Sequence, residues 1–207
     1  MDLEKILPAI IIFLTAFLLP FLLSKKKKKG DKKPKDLSQS LLEIGVEFVE
    51  LDEDSEQVKF RRKLSLGLKS VSIIALKKSN IDFINVISAS SQYGVNYFIE
   101  YLVKSTFGLR EKPLKRTKMV IKKKSLFGGE VVDVTWKGDQ YLAQKLNMDY
   151  DLKHKFMQAD INTFKGGILI IPEPKHGYIR IKTNYNFPSA DIFYAIDTLA
   201  GYMRSGI

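Results

Sequence analysis

An uncharged apolar run from Ile6 to Leu23 limits what this chain can fold into more than any other feature. Its eighteen residues contain one polar side chain, Thr15. As a helix, the run is roughly 27 Å long at about 1.5 Å per residue, close to the ~30 Å hydrocarbon layer of a bilayer. Asp2 and Glu4 precede it and no small-residue cleavage site follows it, which argues against a signal peptide. The sequence therefore predicts a single transmembrane helix over residues 6 to 23.

A run of lysines directly behind the predicted span sets its orientation. Between residues 25 and 35, eight lysines oppose one acidic residue, Asp31, whereas residues 1 to 5 contain one lysine. Basic residues beside a span stay on the cytoplasmic side, so residues 1 to 5 are predicted to lie outside the cell membrane and the chain after residue 24 inside it. The run is also predicted to contact anionic lipid headgroups through Lys25, Lys26, Lys27, Lys28, Lys29, Lys32, Lys33 and Lys35. The alternative is that these lysines act only as the flank that stops transfer of the chain.

The chain behind the span divides into a linker and one domain. Residues 24 to 36 are predicted to be a polybasic linker, because a segment rich in lysine with Gly30 and Pro34 cannot bury apolar surface. The cytoplasmic domain is predicted to occupy residues 37 to 207. That length is enough for a single hydrophobic core.

Two periodicities alternate along this domain. A stripe with spacings of four and three predicts a first helix, with a strand from Val46 to Leu51 as the alternative; its residues are Leu37, Leu41, Ile44, Phe48 and Leu51. Alternating apolar residues predict strands from residue 58 onwards, including hairpins over 119 to 136 and 168 to 181. A last stripe through Ile192, Ile196 and Leu199 predicts a C-terminal helix. The predicted fold class is α+β, with an N-terminal transmembrane helix, a mainly antiparallel sheet and a C-terminal amphipathic helix.

Few residues of the chain indicate chemistry. Cysteine is absent, which excludes thiolate catalysis and cysteine metal sites, and His154 and His176 are isolated from each other in sequence. No nucleotide-binding glycine loop, nucleophile elbow or metal-binding motif occurs. The sequence predicts no metal and no cofactor. A carboxylate-dependent hydrolase that uses Asp133, Asp139 or Asp151 is an alternative, and it requires two of these carboxylates to meet in a cleft.

Basic residues on the predicted strands suggest a surface for a polyanion. The chain carries a formal net charge of +11, which favours binding to lipid headgroups or nucleic acid. The candidate contacts, which would have to share one face, are Lys59, Arg61, Lys63, Lys122, Arg180 and Lys182. The predicted function is that of a membrane-anchored cytoplasmic binding or scaffold module, whose partners are the lipid bilayer and an unidentified protein. A nucleic-acid-binding protein tethered at the membrane is the other alternative.

Overall fold

The computed structural model describes residues 37–51, 67–104, 114–125, 128–158, 167–185 and 189–205. The chain divides into two units, residues 1 to 35 and residues 36 to 207, and all of the described residues belong to the second. The predicted span over residues 6 to 23 and the linker lysines lie outside the described residues. Among the helices that are described, none is long and apolar enough to cross a membrane.

The described part of the domain is mainly an antiparallel sheet with helices, which confirms this part of the predicted fold class. The helices are α1 (Leu37–Glu43), α2 (Gln140–Met148), α3 (Tyr150–Gln158) and α4 (Ala190–Ser205). The strands are β1 (Phe48–Glu50), β2 (Leu68–Leu76), β3 (Phe83–Ser91), β4 (Gly94–Lys104), β5 (Thr117–Ser125), β6 (Gly128–Lys137), β7 (Leu169–Glu173) and β8 (Tyr178–Asn184).

The order of strands in the sheet differs from their order in the chain. In the described residues one eight-stranded sheet has the order β1-β2-β3-β4-β8-β7-β5-β6. Strands β2, β3 and β4 follow each other as antiparallel neighbours, whereas β8 pairs with β4 and β7 pairs with β5. The hairpin β7–β8 thus lies between two parts of the sheet that precede it in the chain. It turns through a short 3₁₀ helix, Pro174–His176, and Gly177, whose φ of 69° favours glycine.

The main core lies between the helices and one face of the sheet. On β4, Ile99, Tyr101 and Val103 alternate towards this core, where Ile196 and Leu199 of α4 are fully buried. Helix α4 has seven buried residues on its stripe, and each buried Ile or Leu contributes about 1.5–3 kcal/mol relative to exposure. Packing of this stripe, more than helix propensity, therefore stabilises α4.

Strand β6 closes one edge of the sheet and fixes α2 and α3 on the core. The ring of its Trp136 meets Phe156 of α3 edge to face, with 6.0 Å between centroids. The backbone N–H of Trp136 donates to Oδ1 of Asn147 on α2 at 2.8 Å, and Nδ2 of Asn147 donates to the Trp136 carbonyl at 3.0 Å. Asn147 therefore occupies the hydrogen-bonding groups that an added strand would use at this position.

The structure of residues 44 to 51 decides between the two predicted alternatives, a continued helix and a strand. Helix α1 ends at Glu43, and Gly45 has a φ of 76°. The chain then pairs with β2 as the short strand β1. The longer helix that the apolar stripe predicts is therefore wrong, because Phe48 and Leu51 belong to strand geometry, where a spacing of three does not repeat on one face.

Candidate anion-binding face

Lysines of β5, β6 and β8 lie on the sheet face opposite the helices. Side chains alternate between the two faces of a strand. Met119, Trp136 and Ile181 belong to the main core and Ile121 packs against it, so the lysines next to them in sequence point to the other face. This surface, here called the basic sheet face, consists of Lys118 and Lys122 of β5, Lys137 of β6 and Lys182 of β8.

Two of these lysines stand directly opposite each other. Lys118 of β5 is in register with Lys137 of β6, and both side chains are exposed. Opposed residues in an antiparallel pair have Cβ atoms about 5 Å apart, and like charges in this arrangement are destabilising. Within the described part of the chain, no carboxylate forms an ion pair with either side chain. Lys118 and Lys137, here called the lysine pair, therefore form a concentrated positive charge.

The two other lysines of the face have partners. The ammonium of Lys182 lies 3.6 Å from the centroid of the Phe98 ring, a cation–π contact. Lys122 is in register with Asp133, and its charge contributes to lowering the pKa of that carboxyl. The largest cause of that lowering is a hydrogen bond from Lys153. The lysine pair thus differs from Lys122 and Lys182 in its surroundings.

The backbone beneath the lysine pair is held on several sides. The N–H of Asp139 donates to Oγ1 of Thr117 at 3.0 Å, and the N–H of Lys115 donates to Oδ2 of Asp139 at 3.0 Å. Gly138 has a φ of 140°, and a Cβ there would lie 2.2 Å from the carbonyl oxygen of Arg116. Only glycine allows this approach of the two strands. The backbone before Lys118 and the backbone after Lys137 are therefore held in a fixed relative position.

Arg180 lies on the same face but is buried in a network of charges. Its side chain is 2% exposed, and Nη1 donates to Oε2 of Glu100 at 2.8 Å. Nη2 donates to Oε2 of Glu173 at 2.9 Å, and Nε lies 2.7 Å from Oε1 of the same carboxylate. Burial alone would lower the pKa of Arg180, but Glu173 and Glu100 outweigh burial and raise it. The guanidinium is thus held by two carboxylates away from the surface.

The structure brings together only part of the predicted polyanion contacts. Lys122 and Lys182 share one face, and Arg180 shares it but is buried. Lys59, Arg61 and Lys63, like the eight linker lysines, lie outside the described residues. Sequence reasoning did not select Lys118 and Lys137. Their alternation with Met119 and Trp136 was the available signal, but only the strand register places them opposite each other.

Of the three aspartates proposed for hydrolysis, Asp133 and Asp151 line one depression, whereas Asp139 does not line it. Asp139 caps α2, because its Oδ1 accepts from the N–H of Leu142 at 3.0 Å. An open depression of about 460 Å³ is lined by Asp133, Tyr150, Asp151, Lys153, His154 and Met157. There, the carboxylate of Asp133 lies 3.0 Å from Nζ of Lys153, whose hydrogen bond is the largest cause of the lowered pKa of Asp133. Among the described residues, no three histidine, aspartate or glutamate side chains are grouped so that they could hold a metal ion.

Comparison with protein-family models, with curated proteins and with solved structures gives no match.

Proposed function

We propose that this chain is a membrane-anchored module whose cytoplasmic α+β domain binds the anionic surface of the inner leaflet through the basic sheet face. The observation that carries the proposal is the lysine pair, where Lys118 and Lys137 oppose each other without a carboxylate partner in the described residues. Such a pair is destabilising in the isolated domain, and an anion between the two ammonium groups removes the repulsion.

The predicted anchor and linker support a lipid surface as that anion. A domain tethered behind residues 6 to 23 stays close to the leaflet, so its effective concentration at the headgroups is high. Each basic residue near an anionic leaflet contributes on the order of 1 kcal/mol. The linker lysines and the basic sheet face would then act together.

Nucleic acid is the less favoured partner because the described residues of the face offer no exposed ring on which a base could stack. Exposed tyrosines of the described residues lie elsewhere: Tyr93 in the β3–β4 turn, Tyr141 on α2, Tyr150 on α3 and Tyr194 on α4. Phe98, which does lie on the basic sheet face, is 7% exposed and lies beneath Lys182. Stacking on aromatic rings is the usual source of affinity for single-stranded nucleic acid.

Vesicle sedimentation of residues 24 to 207 tests the proposal. We expect binding to vesicles with phosphatidylserine but not to pure phosphatidylcholine, and we expect added salt to weaken it. Lys118→Glu and Lys137→Glu, each made singly, should both reduce the bound fraction. Lys77→Glu is the matched control, because it makes the same change of charge at a residue that is also exposed but lies in the β2–β3 turn.

Two outcomes would contradict the proposal. Equal sedimentation with anionic and neutral vesicles would remove lipid as the partner. Salt-dependent binding to RNA or DNA without vesicle binding would replace lipid by nucleic acid.

A further inference from the structure

We infer that the lysine pair is a binding site for a phosphomonoester, a phosphate group with three terminal oxygens and up to two negative charges. This inference rests on the proposed function, because it names the chemical group at the anionic surface that the pair recognises. It goes beyond general attraction to a charged leaflet, which does not distinguish one phosphate from another.

The number of donors at the site matches a phosphomonoester. Thr135 precedes Lys137 by two residues on β6, so its hydroxyl lies on the same face, opposite Val120. Two ammonium groups and one hydroxyl can each donate to a separate oxygen. A phosphomonoester presents three strong acceptor oxygens, whereas the phosphodiester of a lipid such as phosphatidylserine has two terminal oxygens.

The charge at the site points to the same group. Lys118 and Lys137 together carry two positive charges, and the described residues supply no carboxylate ion pair to either. A phosphomonoester carries about −1.5 to −2 at pH 7, since its second pKa is about 6. A phosphodiester carries a single negative charge and leaves one of the two ammonium groups without compensation.

The site is also rigid before any ligand arrives. Asp139 joins the backbone of Lys115 to that of Leu142, and the close approach at Gly138 fixes the end of β6 against Arg116. Binding then orders only the two lysine side chains and not the backbone. A preorganised site of this kind keeps more of its interaction energy as affinity.

Titration of the full-length chain in a neutral detergent tests the inference. The probes are soluble dihexanoyl phosphatidic acid, a phosphomonoester, and dihexanoyl phosphatidylserine, a phosphodiester, followed by calorimetry. At pH 7.5 we expect the phosphatidic acid to bind about tenfold more tightly. Lys118→Gln should abolish this preference, whereas Lys122→Gln, on the same strand and face but opposite Asp133, should retain it.

Two further measurements, a titration at pH 5 and a competition with inorganic phosphate, distinguish the possible results. Lowering the pH to 5 adds a proton to the phosphomonoester but leaves lysine charged, so the preference should disappear. Inorganic phosphate should compete with phosphatidic acid if the phosphate group is the recognised part, and failure to compete would assign binding to the lipid chains and overturn the inference.

The inference and the proposed function fail in different ways. Equal affinity for the two lipids, or an equal effect of Lys118→Gln and Lys122→Gln, overturns the phosphomonoester site but leaves general anionic binding in place. Binding of neither lipid overturns both.

Discussion

Arg180→Met tests how much the stability of the domain depends on the one cation in the buried charge network of Arg180, Glu100 and Glu173. Arg180 is 2% exposed, Glu100 is fully buried and Glu173 is 13% exposed. Methionine keeps much of the arginine stem but removes the guanidinium that lies 2.8 Å from Glu100. Removal of one partner from a buried ion pair costs about 3–5 kcal/mol, because the remaining charge stays away from water. For a domain of this size, that corresponds to a fall in melting temperature of about 6–20 °C.

Urea unfolding of the domain, followed by tryptophan fluorescence, measures this change. Trp136 is the chain's single tryptophan and is buried against Phe156, so its emission reports loss of the core. The matched control is Lys78→Met, which removes a cation 2.7 Å from Glu47 where both side chains are largely exposed. We expect it to change the free energy of unfolding far less than Arg180→Met, because solvent screens an exposed ion pair.

The double variant Glu100→Gln with Arg180→Met checks the physical reason for the loss. It removes the buried carboxylate together with its cation, so it should be more stable than Arg180→Met alone. Two results would contradict this reason: a loss of unfolding free energy in Arg180→Met no larger than in Lys78→Met, or a double variant less stable than Arg180→Met. Either result would mean that burial of the charges does not determine how much the ion pairs of Arg180 stabilise the domain.

Three other predictions concern the sheet edge, the packing of the helices and the anchor. Asn147→Leu frees the backbone groups of Trp136 on β6, and analytical ultracentrifugation should show stronger concentration-dependent association than for the original chain. A hydrogen bond to Asp149 raises the pKa of Tyr202 to about 12 from an ordinary value of about 10. The stabilisation by this hydrogen bond is therefore present below pH ~10 and is lost as the pH rises towards 12. In alkaline unfolding curves, Tyr202→Phe should remove the loss of stability that comes from ionisation of Tyr202. The predicted span over residues 6 to 23 should keep the full chain in the membrane pellet after carbonate extraction, and release into the supernatant would contradict it.

Local periodicity was enough to predict the elements whose apolar residues repeat clearly. The apolar stripe predicted through Ile192, Ile196 and Leu199 is buried in α4. The helix predicted from the stripe that begins at Leu37 is too long, because Phe48 and Leu51 also fit a strand. Gly45, which has a positive φ, lies between the end of α1 and that strand. The pattern of spacing alone could not decide between these conformations.

The candidate site was less predictable because it depends on contacts between distant parts of the chain. Arg180 alternates with buried isoleucines, which is typical of an exposed residue on a strand. Its partner Glu100 is 80 residues away in sequence. The opposition of Lys118 and Lys137 likewise follows from the register of a hairpin that contains an irregularity, and a shift by one residue would have moved one lysine to the other face.

The position of the β7–β8 hairpin has a consequence for how the chain folds during synthesis. When residues up to the end of α3 have left the ribosome, the strands β1 to β4 and the hairpin β5–β6 have no strand edge in common. They become one sheet only after the last two strands arrive and pair with both parts. Because these pairings close long loops late, a chain that ends between residues 158 and 169 would contain two parts of the sheet that share no strand edge, rather than a shortened sheet.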